Sequence, residues 1–102
     1  MIVRSWRGYA ERAREDVYPR HLLHNVRPKL EALAGFRGLY LLRRRSGQEV
    51  EFEVLTLWES MTAIQAFAGS RPEEAVVEPE AEAALIRFDR SVRHYEVLAQ
   101  PL

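Results

Sequence analysis

EVLTLWESMTAIQAFAGS (residues 53–70) decides the fold. Its first half alternates with the period of a strand: Val54 and Trp58 lie on one side, Leu55 and Leu57 on the other. Ser60 then stands where a helix needs a cap, its hydroxyl able to accept from the amides of the first turn. Met61, Ile64 and Ala68, with neighbouring Phe67, follow at helical spacing and make one apolar stripe. Gly69 is the helix stop. The stretch is therefore a strand, a capped helix and a glycine end.

Working outward gives the other elements. FRGLYLLRRR (36–45) reads as a strand and SGQ (46–48) as turn material, so it forms a hairpin with EVEFEVLTLW (49–58). MIVRSWRG (1–8) reads as the first strand, with Ile2, Arg4 and Trp6 on one face and Gly8 ending it. The segment 9–26 reads as a helix with Ala10, Ala13, Val17 and His21 on its apolar side. Pro19 should kink or break it, and Pro28 should open a short second piece, PKLEAL (28–33). Gly35 stops that helix. Residues 71–88 read as a turn or short helix, interrupted at Pro79, then a further helical turn. RSVRHYEVL (90–98) reads as the last strand and AQPL (99–102) as a tail. The order βαββαβ is ferredoxin-like, an α+β antiparallel sheet under two helices, in a single domain spanning 1–102.

A sheet covered by helices on one side should be polar on the other. Here strands two and three carry apolar residues on both faces. The second face requires cover, and the simplest cover is the same face of a second copy, a two-fold homodimer.

Composition sets limits. Of 102 residues, 47 % are hydrophobic and 29 % charged, which excludes a disordered chain. No apolar run approaches the ~20 residues of a spanning helix, so no membrane partner is expected. The start is too short and too charged for a signal peptide, and a cytoplasmic location is expected. With no cysteine, thiolate metal sites, disulfides and a thiol nucleophile are excluded. Fifteen basic residues balance fifteen acidic ones, against a nucleic-acid partner. There is no phosphate loop, nucleophile elbow or zinc pattern.

Gly35, Phe36 and Gly38, then LTLWES, AIQAFAGS and the closing HYEVL, together resemble the antibiotic biosynthesis monooxygenase family of dimeric α/β barrels. The resemblance implies two sheets packed face to face and a pocket between each sheet and its helices. It implies, for some members, oxidation of anthrone- or quinol-type aromatics by oxygen with no cofactor. Other members bind and degrade haem with an Asn on strand one, a Trp on the helix after strand three and a His beyond it. This sequence departs at each place. Strand one reads Arg4, Ser5, Trp6, Arg7; Phe67 stands at the Trp position; no His lies between Phe67 and Arg93.

Cofactor-free oxidation needs a base, a stabilised substrate anion and a dry pocket. His94 is the candidate base, with Glu96 two residues along the same strand face to orient its ring. His21 and His24, three apart on a helix, are candidates for the pocket, and with Glu96 they match the ligand types of a two-His, one-carboxylate iron site without its spacing signature. No metal or other cofactor is expected. Trp6, Tyr40, Trp58 and Phe67 are the candidate substrate-binding walls. Arg43, Arg44 and Arg45 read as a solvated run near Glu49 and Glu51. The expected activity is a cofactor-independent monooxygenase acting on a small aromatic or polyketide-like molecule. The alternatives are a non-catalytic small-ligand module and a haem-binding protein lacking the usual triad.

Overall fold

The computed structural model describes residues 1–101; Leu102, the end of the expected tail, lies outside the described residues. Strand β1 (Ile2–Glu11) pairs antiparallel with β3 (Glu49–Trp58), and β3 pairs antiparallel with β2 (Phe36–Ser46). Two short strands, β4 (Arg87–Phe88) and β5 (Arg93–Glu96), both pair antiparallel with the other edge of β1. The ferredoxin-like order expected from the sequence is thus realised; the last strand is shorter than expected, 93–96 instead of 90–98, and Arg87–Phe88, expected at the end of a helical turn, is a strand.

β1 does not end at Gly8. It continues through Tyr9 and Ala10 to Glu11, because Ala10 keeps the alternation inward and is fully buried opposite Val50. Gly8 serves a close approach instead. A Cβ there would meet Leu85 Cδ1 at 2.9 Å and Trp6 at 3.0 Å.

The first helical layer, α1, covers residues 17–31. It is α-helical over Val17–His21, a π turn over Leu22–Val26 and α-helical again over Arg27–Glu31. It starts eight residues later than the sequence pattern indicates, so Pro19 falls in its first turn. An amide missing there would have had no partner in the helix, and no break occurs. The irregularity sits before Pro28. Proline cannot return an N–H to the carbonyl four residues back, and its ring crowds that carbonyl. The ladder widens into a π turn instead of ending. The expected second piece is therefore a continuation of one helix, and Tyr18, Leu22 and Leu30 are all buried against the sheet.

Helix α2 (Met61–Ala68) is capped as expected, Ser60 Oγ accepting from the Ala63 amide at 3.2 Å. Gly35, at φ +86°, turns the chain from α1 into β2 directly beneath α2; a Cβ there would stand 2.6 Å from that of Ala63. Helix α3 (Pro79–Ala84) begins at the proline, which suits a first helical position.

Along β3 burial alternates without a fault. Val50, Phe52, Val54, Thr56 and Trp58 face the helices and are buried. Two clusters make the core. One gathers Phe52, Tyr18, Leu22 and Ala84; the other gathers Trp58, Ile64 and Leu30. Val26 and Leu39 pack against both. No helix among the described residues is long and apolar enough to cross a membrane.

Candidate functional site

Between the two core clusters the packing leaves a cavity of about 80 Å³. Its floor is β1 and β3, its walls are α1 and α2, and the segment 70–78 with α3 forms its rim. Trp6, Tyr18 and Phe67 are its aromatic lining; Arg4, His21, Thr56 and Glu78 are its polar lining. Trp6 tilts against Tyr18 at 5.8 Å between ring centroids, and its Nε1–H donates to the Asp89 carbonyl at 2.7 Å. Burial pushes the Tyr18 hydroxyl above its usual range, so the ring is a neutral wall.

Alternation along β1 puts Arg4 on the covered face between Ile2 and Trp6. The side chain is 4 % exposed. Its guanidinium donates to the carbonyls of Pro72 and Glu74, the latter at 2.8 Å, so it straps the rim segment to the sheet. It also stands 3.1 Å from His94 Nε2 and 5.8 Å from the centre of the Phe67 ring. Burial lowers its pKa to about 10, which leaves it charged at neutral pH.

His21 is 6 % exposed. Its Nδ1 lies 3.1 Å from the Asn25 amide nitrogen and 3.9 Å from Glu80 Oε2. Its Nε2 is buried with no hydrogen-bond partner among the described residues. With the Asn25 amide donating to Nδ1, the ring proton sits on Nε2. Turning the amide over lets its oxygen take the Nδ1 proton and frees Nε2 to accept. Which tautomer His21 holds therefore follows from the way the Asn25 amide is turned.

Of the expected walls, Trp6, Phe67 and His21 line the cavity. Trp58 does not; it is fully buried behind Phe67, on which it stacks at 5.8 Å. Tyr40 projects from the opposite face of the sheet and is exposed. His24 is exposed on α1. His94 is off the lining, one layer back, held through Arg4. Its hydrogen-bonding partner is Arg4 and not the expected Glu96, which is exposed opposite Ile2. The iron-type grouping of His21, His24 and Glu96 is likewise not assembled. The carboxylates near His21 are Glu78 and Glu80, all three ligating atoms lying within 4.8 Å of one another. Glu80 is exposed, and Glu78 is joined by Lys29 at 3.4 Å. Arg43, Arg44 and Arg45 are exposed, a solvated run as expected; Arg44 pairs with Glu51, but Arg43 and Arg45 reach Glu15, and Glu49 is taken by Arg87.

The sequence pattern does not single out Arg4, Tyr18 or Thr56, which the fold brings to the cavity. For Arg4 a signal existed: one arginine on an otherwise apolar strand face beside Trp6. Tyr18 was hidden by the late start of α1.

The Arg4 contact makes a pH prediction. His94 Nε2 must accept from Arg4, so the ring is neutral in the fold. Burial first, then the Arg4 charge, lowers its pKa below the ordinary histidine value, with Glu73 opposing. The folded state thus binds fewer protons than the unfolded one. The contribution is complete above about pH 6.5 and is lost as pH falls through the lowered pKa. Thermal melts should show the stability advantage of the native chain over His94→Gln narrowing as pH drops from neutral to about 5. A gap that stays constant, or widens toward acid, would contradict the neutral-acceptor assignment.

No protein-family model matches the chain, and no curated protein matches it by sequence. Solved structures do. A Bacillus cereus protein provisionally described as an antibiotic biosynthesis monooxygenase shares 17 % identity over 99 % of this chain and 94 % of its own, with a TM-score of 0.68. The heme-degrader MhuD of Mycobacterium tuberculosis, solved with two haems bound in its active site, shares 24 % identity over 99 % of each chain, with a TM-score of 0.65. An arginine-to-serine variant of MhuD holding two manganese protoporphyrin IX per active site gives 24 % and 0.63, over 99 % of this chain and 98 % of that one. The chain has the fold of these proteins, a ferredoxin-like α+β domain.

Proposed function

We propose that this chain binds a small aromatic molecule in the cavity between sheet and helices and oxidises it with molecular oxygen, with no cofactor. The observation that carries the reading is His21. Its imidazole is buried at the wall of an aromatic-lined cavity, with one ring nitrogen free. A buried polar atom without a partner is costly and calls for a ligand to complete it.

The balanced reaction for an activated methylene is short. Nε2 of His21 takes a proton from the carbon, leaving a carbanion delocalised into the aromatic system. The carbanion reduces oxygen and forms a C–O bond, giving a hydroperoxide once a proton returns. Loss of water then leaves a ketone. Oxygen supplies the oxidant, one of its atoms is retained and the other leaves as water, so no external reductant is required. Trp6, Tyr18 and Phe67 hold the ring, and Arg4 ties the rim segment down beside it. His94 acts through Arg4, fixing the guanidinium that closes the rim.

Haem, which the MhuD neighbours bind, does not suit this cavity. Its 80 Å³ falls well below the roughly 300–1,000 Å³ of pockets for drug-sized ligands, and a tetrapyrrole is larger still. No step is assigned to it.

Oxygen uptake with a panel of single-ring quinols and single-ring aromatics carrying an activated methylene tests the activity. The native chain should consume oxygen with at least one of them. His21→Gln should lower the rate by about 10²–10⁴-fold, the usual value of a positioned base. Equal rates in the two proteins would remove His21 from the role.

The uncovered face of the sheet belongs to the same reading. Tyr95, Val3 and Leu57 lie across three strands there, and Leu55 and Tyr40 continue the band on the next rung. We propose that a second copy covers it, so that the working unit is a two-fold dimer.

A further inference from the structure

Arg4 is a buried cation without a counter-ion. Among the described residues no carboxylate lies within salt-bridge distance of it, while other arginines of the chain, such as Arg45 and Arg87, are paired with glutamates. Its neighbours are two backbone carbonyls, a neutral imidazole and the face of Phe67. A guanidinium has five N–H groups. Three are matched to the Pro72 and Glu74 carbonyls and His94; the Nε–H and the second N–H on Nη2 have no acceptor among the described residues. Glu78, the carboxylate on the same lining, is already joined by Lys29. The cavity therefore has an aromatic interior and one uncompensated positive charge in its wall. Buried charges are paired, hydrogen-bonded or shifted toward neutrality. This one remains charged and is only partly hydrogen-bonded.

We propose that the ligand of this cavity is a small aromatic anion, its carboxylate or phenolate oxygen set against Arg4 and its ring held by Trp6, Tyr18 and Phe67. The proposal deepens the function above and rests on the same cavity. It adds a requirement that the oxidation reading lacks, namely negative charge on the bound molecule. For a phenol, Arg4 would favour the ionised form, which is also the electron-rich form that reacts with oxygen.

Calorimetric titration of the full chain with benzoate and with benzamide, its near-isosteric neutral counterpart, tests the charge requirement. Benzoate should bind at least about tenfold tighter. Arg4→Lys should keep the preference and Arg4→Met should erase it. Loss of Arg4 also frees the rim, so a second readout uses the native protein alone. The visible phenolate band of 4-nitrophenol reports its ionisation, which should move to lower pH on binding. Benzamide binding as tightly as benzoate, or an unmoved or raised 4-nitrophenol ionisation in the complex, overturns the anion assignment while leaving the aromatic cavity standing. Failure of all three probes to bind overturns both the assignment and the cavity reading.

Discussion

Trp58→Ala should cost about 3–5 kcal/mol, the range for removing a large aromatic from a packed core. Trp58 is fully buried. Its ring meets Phe36 edge-on at 5.2 Å and stacks on Phe67 at 5.8 Å. Its Nε1–H donates to Thr56 Oγ1 at 2.8 Å. The substitution opens a void at the join of β3, α2 and Leu30, and strips a hydrogen bond from a buried hydroxyl. A small domain has only about 5–15 kcal/mol of stability in total, so the variant should be close to unfolding at ordinary temperature. Urea titration at fixed protein concentration measures it. Trp58→Phe should cost less, since it keeps most of the apolar contact and loses the hydrogen bond. A loss under about 1 kcal/mol for the alanine variant would mean the site collapses freely.

The same residue shows how the sequence conveys fold and site differently. The alternation in β3 and the Ser60 cap are local signals, and local signals survived folding intact. The helix boundaries did not, because α1 is placed by a competition among neighbours. Tyr9 and Ala10 satisfy a strand pattern as well as a helical one, and pairing with Glu51 and Val50 decides for the strand. Pro19 carries no position within a helix in its own identity. Once β1 takes residues up to Glu11, the proline moves to the first turn and its penalty disappears.

The site depends on a longer-range matter, namely which side chains meet. Trp58 and Phe67 look equivalent in sequence, yet Phe67 reaches the cavity and Trp58 lies behind it. His94 and Glu96 share a strand face, but the rung across β1 supplies Arg4, and a guanidinium at hydrogen-bond distance outweighs a carboxylate further along the strand. Strand register brings Arg4 and His94 together across ninety residues, which no spacing rule within one element can reveal.

Leu57→Lys should convert a dimer into a monomer. Leu57 lies on the helix-free face between Val3 and Gly38, and its buried neighbours Thr56 and Trp58 point the other way. The lysine therefore leaves the core untouched and strikes only the band formed with Tyr95, Val3, Leu55 and Tyr40. That band would otherwise stand open, with Tyr40 55 % and Tyr95 50 % exposed. Beyond it the face turns mostly polar, Arg7 pairing with Glu53 and Arg44 with Glu51 around the exposed Leu42, so the apolar half is where a second copy gains most by burial. Two lysines facing each other across a two-fold axis lose that gain and repel. Light scattering should give twice the 11.9 kDa chain mass for the native protein and the chain mass for the variant. A native chain that already runs as a monomer would refute the proposed cover, and a variant that remains dimeric would place the interface elsewhere.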